Sequence, residues 1–260
     1  MVVVSRDDER LTWVGHATVL LELGGSRLLT DPLLRTRLGH LRRHGARPDP
    51  KVFEDIDAVL VSHVHLDHLD VRSLRAVARG ARVIGPEGAG RLLRRIGFTE
   101  VDEVEPGDRV AVGEATVTAL PAVHDGRRRP LGAIVATLGY EIVGTQRVYF
   151  AGDTELFDGM RDMAGRFDVA LLPVWGWGPS LGAGHMDPLC AARAVAIVRP
   201  AIAVPIHWGT FFPVGLEALR GSALVERPRV FARHVAELAP EVEVRVLAPG
   251  DELALGRVAS

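Results

Sequence analysis

Short apolar runs rich in valine and leucine recur along the chain, and turns that contain glycine, proline or aspartate separate them. Short runs bounded in this way are typical of buried β-strands, and several are followed by segments with helical spacing. The pair Gly24-Gly25 predicts a tight hairpin turn. The predicted strands are residues 11–14, 19–23, 27–30, 58–61, 82–84, 100–104, 109–112, 115–120, 134–142, 147–151, 169–173, 201–205, 242–246 and 253–255, and the predicted helices are 71–79, 88–96, 188–198 and 229–237.

This order of elements predicts an α/β protein, because strands and helices are interspersed in both halves of the chain. A pair of sheets flanked by helices is compatible with it. We find neither a shift in composition that would mark a linker nor a segment of low complexity. We therefore expect residues 1–260 to form a single domain.

The composition of the 260 residues, 47% of them hydrophobic, excludes a disordered or fibrous protein. The 31 lysines and arginines nearly balance the 33 acidic residues, so the formal net charge of −2 does not favour binding to nucleic acid or to an anionic membrane. Cys190 is the only cysteine, which excludes an internal disulfide and a thiolate-rich zinc site. The start MVVVSRDDER has no apolar signal segment, and we expect a cytoplasmic protein without a transmembrane segment.

The segment SHVHLDHLD follows the predicted strand 58–61 and contains His63, His65, Asp67 and His68. A strand end that leads into a tight loop lets the first two side chains point to one side and the last two to another. Imidazole and carboxylate are ligands of zinc and similar divalent ions, and this spacing can serve two ions at once. Four side chains cannot fill two coordination spheres, so we expect further ligands from later in the chain.

Three further candidates each lie where a predicted strand gives way to a loop, which is where α/β folds gather functional side chains. They are His124 in LPAVH, Asp153 in FAGDT and His207 in VPIHWGT. A lone loop histidine is usually solvated or packed in the core. The combination of these residues with the histidine-rich segment favours a metal site instead.

The pattern H-x-H-x-D-H, with the later histidines and Gly-Asp-Thr, resembles the metallo-β-lactamase superfamily from residue 11 to about residue 212. The segments TWVGHATVLLE, LLTDP, FAGDT and PIHWGTF are similar, more narrowly, to the branch that contains the N-acyl phosphatidylethanolamine phospholipase D enzymes and the ascorbate-6-phosphate lactonases. The resemblance implies a four-layer αβ/βα sandwich with two divalent metal ions at one edge of the sheets. We expect zinc, with manganese or iron as alternatives. The implied ligands are His63, His65 and His124 for the first ion, Asp67, His68 and His207 for the second, and Asp153 as a bridge between them.

Three other polar residues receive expected roles beside these ligands. Asp31, in LLTDP, is expected to orient a ligating imidazole, with a simple turn residue as the alternative. His16, in VGHAT, is expected to be buried beside the site rather than catalytic. The resemblance suggests that His185, in AGHMDP, contacts the substrate or protonates the leaving oxygen, and the alternative is a loop histidine near a helix cap. Asp67 and His185 are the predicted catalytic residues.

Two segments are candidates for substrate contacts. Arg35 and Arg37 begin a basic segment that extends to Arg47 without an acidic residue, and it is suited to a phosphate or another anionic group. Trp175 and Trp177 lie in a glycine-rich loop that is suited to form a lid or an apolar wall for an acyl chain. The alternatives are a solvated helix or loop for the arginines and simple packing over a loop for the tryptophans.

The predicted function is a metal-dependent hydrolase in which a hydroxide held by two metal ions cleaves a phosphodiester or a related ester. A phospholipase D-like reaction on a lipid-derived substrate is one form of this activity. A lactonase for a phosphorylated sugar-acid lactone is the alternative, and a non-enzymatic metal-binding or sensor protein is the alternative from another class. The expected partner is a small-molecule ester or phosphodiester rather than a nucleic acid, and association into a homo-oligomer is left open.

Overall fold

The computed structural model describes residues 9–45, 47–77, 80–128, 134–176, 184–215 and 223–256. Short turns of 3₁₀ helix lie at Pro50–Phe53 and Asp158–Met163. The helices are α1 (Val71–Val77), α2 (Gly90–Arg95), α3 (Pro188–Val198) and α4 (Ala223–Leu238). The strands are β1 (Arg10–Gly15), β2 (Thr18–Leu23), β3 (Ser26–Thr30), β4 (Arg37–Leu38), β5 (Leu41–Arg43), β6 (Ala58–Leu60), β7 (Arg82–Pro86), β8 (Val101–Val104), β9 (Arg109–Val112), β10 (Ala115–Pro121), β11 (Leu138–Val143), β12 (Arg147–Phe150), β13 (Val169–Pro173), β14 (Ile202–Ile206), β15 (Phe211–Pro213), β16 (Glu243–Val244) and β17 (Glu252–Ala254).

Most strands belong to two mixed sheets. The N-terminal sheet has the order β17-β1-β2-β3-β6-β7-β8, and the C-terminal sheet has the order β16-β14-β13-β12-β11-β10-β9. In each sheet an antiparallel part is followed by parallel strands, β3-β6-β7-β8 in the first and β12-β13-β14-β16 in the second. A small sheet of order β15-β5-β4 lies apart from both.

The side chains of the N-terminal sheet alternate between two apolar clusters, as the pleat of a strand requires. Leu28 and Leu60 join the core shared by both large sheets, whereas Leu29 and Val59 pack in a second cluster that includes Leu74 of α1. Buried residues of α3 and α4 join the shared core together with the C-terminal sheet. The layers are therefore helix, sheet, sheet, helix, which confirms the predicted four-layer αβ/βα sandwich.

Two expectations about the elements are wrong in detail, and one sheet was not predicted. The strand predicted over 134–142 begins only at Leu138, because β10 ends at the opposite residue, Pro121, and offers no partner beyond it. Ile134 is instead 69% exposed and forms an isolated bridge. Helix α4 begins before Pro228 rather than after it, although proline disfavours a helix interior, and buried Phe231 anchors the helix to the core. The strands of the small sheet were not predicted.

The strand directions bring the ends of many elements to one edge of each large sheet. Strands β1, β3 and β6 run the same way in the N-terminal sheet, and β10, β12 and β14 run the same way in the C-terminal sheet. Residues that directly follow strands of the same sheet therefore lie at one edge of that sheet, at the carboxyl ends of the strands. Among the described residues, no helix combines the length and the apolar content needed to cross a membrane.

Candidate metal centre

Three imidazoles meet where β6 and β10 end. His63 and His65 lie in the loop after β6, and His124 lies in the segment after β10. The Nδ1 atom of His65 is 2.9 Å from Nε2 of His63 and 3.0 Å from Nε2 of His124. His63 is fully buried, while the other two are partly exposed. Nitrogen atoms at this spacing fit a three-histidine ligand set around one cation.

Asp67, His68 and His207 form a neighbouring group. The first two residues end the loop after β6, and His207 directly follows β14. The Oδ2 atom of Asp67 lies 3.6 Å from Nε2 of His68 and 3.9 Å from Nε2 of His207. The φ angle of His207 is 63°, a left-handed conformation that non-glycine residues rarely adopt. Backbone strain of this kind is typical of functional sites, where the surrounding structure enforces it.

Asp153 connects the two groups. Its Oδ2 atom is 3.3 Å from Nε2 of His68, and its Oδ1 atom is 3.3 Å from Nε2 of His207. It also shares a potential ligand cluster with His124. The preceding Gly152 has a φ of 61°, and a Cβ atom there would lie 2.7 Å from the Cβ of Ser62, so only glycine lets the chain deliver Asp153 to this position.

Two buried atoms of this arrangement support a metal ion. Within the part of the chain that the structure describes, Nε2 of His68 and Oδ1 of Asp153 form no hydrogen bond. An unsatisfied buried polar atom costs about 1–3 kcal/mol, and a cation between them would satisfy both. The donors are imidazoles and carboxylates without a thiolate, which divalent zinc, manganese and iron accept. The residues present therefore fit divalent metal ions.

Burial keeps several of these imidazoles neutral. It lowers the pKa of His124 to about 4 and holds the pKa of His63 well below its ordinary value, with a further lowering of the latter by the charge of His68. The pKa of His65 is lowered in the same way, by burial first. An imidazole must be neutral to bind a metal ion. These side chains are therefore in the ligating form at neutral pH.

His68 is the exception, because carboxylates surround it and favour a proton that a metal ion at Nε2 would replace. Burial alone would lower its pKa, but Asp153, Asp67 and Asp31 together outweigh burial and raise the pKa well above its ordinary value. Asp31 follows β3 and is fully buried. The Nδ1 atom of His68 donates a 2.7 Å hydrogen bond to Oδ2 of Asp31, and the backbone N–H of Ser62 donates to Oδ1 of the same carboxylate. Asp31 thus contacts a predicted ligand and fixes the orientation of the ring.

His16 is buried against the second group. It follows β1 with a φ of 56°, and its Nε2 atom lies 3.2 Å from Oδ2 of Asp67. Its ring centre is 3.9 Å from that of His207. Burial lowers the pKa of His16 to about 3, with a smaller contribution from His207. A neutral imidazole in this position supports Asp67 and packs against His207.

His185 lies on the other side of the site, just before α3. Its Nε2 atom is 3.8 Å from Oδ2 of Asp153, and its ring centre is 4.7 Å from that of His124. The side chain is 26% exposed, so it reaches both the buried site and the solvent. The structure thus brings His185 to the predicted ligands rather than leaving it in a remote loop.

The predicted substrate contacts Arg35, Arg37 and Trp175 lie among the described residues. The Nη1 atom of Arg35 is 3.3 Å from Oδ1 of Asp70, and Arg37 lies on β4 in the small sheet. Trp175 is buried, and its ring lies 6.1 Å from that of Phe212. Trp177 lies outside the described residues. A role of these residues in substrate binding stays a prediction.

Sequence reasoning did not single out Gly184 and Glu155, which hold His124 in place. The Nδ1 atom of His124 lies 2.8 Å from the carbonyl oxygen of Gly184, and the N–H of Gly184 donates a 2.9 Å hydrogen bond to Oε2 of Glu155. Glu155 itself follows Asp153 by two residues. That proximity to a predicted ligand is the one signal in the sequence that could have found it.

Arg128 holds the loop that carries four of the predicted ligands. Its Nη1 atom donates hydrogen bonds of 2.6 Å to the carbonyl oxygen of Val64 and of 3.1 Å to that of Leu69. These carbonyls lie on both sides of the segment between His65 and His68.

Comparison with known proteins agrees with this geometry. Residues 26–208 match the family described as the Beta-lactamase superfamily domain. The chain belongs to the β-lactamase superfamily. It is 34% identical over 248 residues to a UPF0173 metal-dependent hydrolase of Methanopyrus kandleri, a match that covers 93% of this chain and 98% of the relative.

Two further β-lactamase superfamily comparisons extend this result. The chain is 32% identical over 231 residues to the N-acyl-phosphatidylethanolamine-hydrolyzing phospholipase D 1 of Caenorhabditis elegans, covering 78% of this chain and 64% of the relative. The solved structure of Igni18, a metallo hydrolase of Ignicoccus hospitalis, superposes on this chain with a TM-score of 0.70. The match covers 96% of this chain and 99% of that one at 23% identity, and at this identity it is evidence for the shared fold only. The superfamily, the fold and the class of metal-dependent hydrolase predicted from the sequence are thereby confirmed.

Proposed function

We propose that this chain hydrolyses a phosphodiester or a related ester with the help of two divalent metal ions. The observation that carries the proposal is the position of Asp153, whose two oxygen atoms each approach an imidazole of the second group while the residue also clusters with His124. A carboxylate placed in this way is suited to bridge two ions. His63, His65 and His124 would hold one ion, and Asp67, His68 and His207 the other.

When bound, such a pair of ions supplies Lewis acidity, lowers the pKa of water and stabilises negative charge on a reacting oxygen. The residues of the chain provide the positions and the protons. The Nε2 atom of the neutral His16 donates a hydrogen bond to Oδ2 of Asp67, which fixes the orientation of that carboxylate within the site. Asp31 does the same for His68. The site thus needs no serine or cysteine nucleophile.

His185 is suited to hold a proton for the leaving oxygen. Its Nε2 atom faces Asp153 at 3.8 Å, and its partial exposure lets it exchange a proton with solvent. A general acid must reach the group that it protonates, and a ring at the mouth of the site meets that condition. We therefore assign the proton-donating role to His185.

The choice of a phosphodiester is supported by the relative from Caenorhabditis elegans, whose name describes a phospholipase D. Zinc would be the preferred ion, because imidazole and carboxylate donors suit it, and manganese or iron are the alternatives. The same groups would also act on a lactone by the same mechanism. A lactone of a phosphorylated sugar acid is therefore the alternative substrate, and the assay includes lactones.

Hydrolysis of bis(p-nitrophenyl) phosphate and of a panel of lactones by the zinc-loaded protein tests the proposal. We expect diester hydrolysis that chelation abolishes and zinc restores. His185→Ala should lower kcat on the diester by about 100-fold or more, in the range of general acid catalysis. His234→Ala, which removes a partly exposed histidine of α4 whose partner is Glu237, is the matched control and should not change kcat.

Three outcomes would contradict parts of this account. Turnover of lactones alone would replace the phosphodiester with the lactone. Zinc binding without any turnover would favour a non-enzymatic metal-binding or sensor protein. An unchanged kcat in His185→Ala would remove this residue from the reaction.

A further inference from the structure

Two adjoining cavities of about 480 and 530 Å³ lie on the small sheet. They share Arg42, Arg43 and Gly45. None of the described residues that line them is acidic, and none is a predicted metal ligand. The lining residues are Thr36, Arg37, Arg42, Arg43, Gly45 and Arg47 for the first cavity, and Arg42, Arg43, His44, Gly45, Val214 and Gly215 for the second.

The arginines around these cavities are not neutralised by the protein. Within the described ranges, the side chains of Arg37, Arg42 and Arg47 form no ion pair, whereas the neighbouring Arg35 is paired with Asp70. Arg37 and Arg42 are also directly opposite each other in the β4–β5 pair. Like charges at opposite positions of paired strands destabilise a sheet. The fold therefore carries an unfavourable concentration of positive charge that an anion would relieve.

Arg43 gives this region a fixed positive charge beneath its surface. The side chain is 7% exposed, its Nε donates a 3.1 Å hydrogen bond to the carbonyl oxygen of Arg35, and its Nη2 donates to that of Leu33. The guanidinium also lies 4.8 Å above the ring centre of Phe211. No carboxylate among the described residues pairs with it, and burial lowers its pKa to about 10, so it stays charged at neutral pH. An immobilised cation of this kind is pre-organised for an anionic ligand.

We infer that these cavities bind an oxyanion, namely the phosphate group of a small phosphorylated molecule, at a site separate from the metal centre. Arginine suits this ligand because its planar, forked donors match phosphate oxygens in pairs. The cavities are larger than one phosphate, which leaves room for the rest of the molecule. The net charge of −2 of the whole chain opposes a long polyanion and favours a local, compact one. This site does not depend on the proposed hydrolysis.

Calorimetric titration of the zinc-loaded protein with inorganic phosphate tests the inference. We expect saturable binding that Arg42→Gln weakens by about tenfold or more, because one charge-assisted contact is lost. Arg42 is exposed, so this variant is expected to fold. Arg233→Gln removes an exposed arginine from α4 and should leave phosphate binding unchanged.

A metal-site variant separates the two places where phosphate could bind. Asp153→Asn should leave the phosphate affinity of the arginine site unchanged. Phosphate binding that is lost in Asp153→Asn but retained in Arg42→Gln would overturn the inference, since the anion would then sit at the metal centre. Absence of saturable phosphate binding would also overturn the inference. If a DNA duplex bound in an Arg42-dependent way and phosphate did not, the region would be a nucleic-acid surface, and the inference would again be wrong.

Discussion

Replacement of Gly184 by alanine tests how the segment before α3 positions His124. Gly184 has a φ of +83°, a left-handed conformation that costs other residues about 1–2 kcal/mol. A Cβ atom there would lie 2.9 Å from Nδ1 of His124 and 3.1 Å from its Cα atom. The first distance is shorter than real Cβ contacts and the second is tighter than most, so the histidine must shift and its hydrogen bond with the carbonyl of Gly184 must weaken. Loss of such a supporting contact costs about 10–100-fold in metal affinity.

We therefore expect Gly184→Ala to weaken zinc binding by about 10–100-fold, measured by competition with a chromogenic chelator. Gly165→Ala is the matched control, because Gly165 has a φ of +68° and nothing lies within 4 Å of its Cβ position. Gly165→Ala should lose about 1–2 kcal/mol of unfolding free energy in urea and Gly184→Ala at least as much, but only Gly184→Ala should lose zinc affinity. Equal zinc affinities in the two variants would refute the assigned contact between Gly184 and His124.

Three other predictions follow from the same contacts. Asp31→Ala should lower the unfolding free energy by about 3–5 kcal/mol in urea denaturation, because it leaves the buried Nδ1 donor of His68 without its carboxylate partner. A loss below about 1 kcal/mol would contradict this prediction. Arg128→Gln should lower the unfolding free energy by about 1–3 kcal/mol, because it removes the hydrogen bonds to the carbonyls of Val64 and Leu69. Arg127→Gln changes an exposed arginine and should alter the unfolding free energy by no more than about 0.5 kcal/mol. When free zinc is held at about 100 times its Kd, its removal by a chelator should lower the unfolding free energy by about 2.7 kcal/mol per ion. An unchanged Tm after chelation would show that no ion had been bound.

The sequence was most informative where its periodicity and the chemistry of the side chains agreed. Strand β13 and helix α3 have the predicted bounds, since each combines a continuous apolar face with clear end signals. Asp187 caps α3 by accepting a hydrogen bond from the N–H of Cys190, and Pro188 follows it. The predicted ligands were recognisable because imidazole and carboxylate groups recur where strands end.

The small sheet could not be predicted, because its strands are short and its pairing is non-local. Strand β5 pairs with β15, which lies more than 160 residues later, and this register places Phe211 opposite Arg43. Neither segment has the alternation that marks a half-buried strand. The sequence therefore predicts only a basic segment that contacts an anionic substrate group or is solvated, whereas the structure arranges Arg37, Arg42, Arg43 and Arg47 around two cavities.

The supporting contacts of the site were missed for a related reason. Gly184 and Glu155 act on His124 through backbone atoms and a hydrogen bond between distant segments. A sequence pattern reveals residue types that bind metals, but it does not reveal which carbonyl or amide a fold will place behind them. Only the three-dimensional arrangement identifies these contacts.

The number of zinc ions bound per chain at saturation, measured by elemental analysis of the dialysed protein, tests the central claim most directly. A centre with two ligand groups connected by Asp153 predicts about two ions per chain. A value of one ion or fewer would contradict the claim that these residues form a two-metal centre.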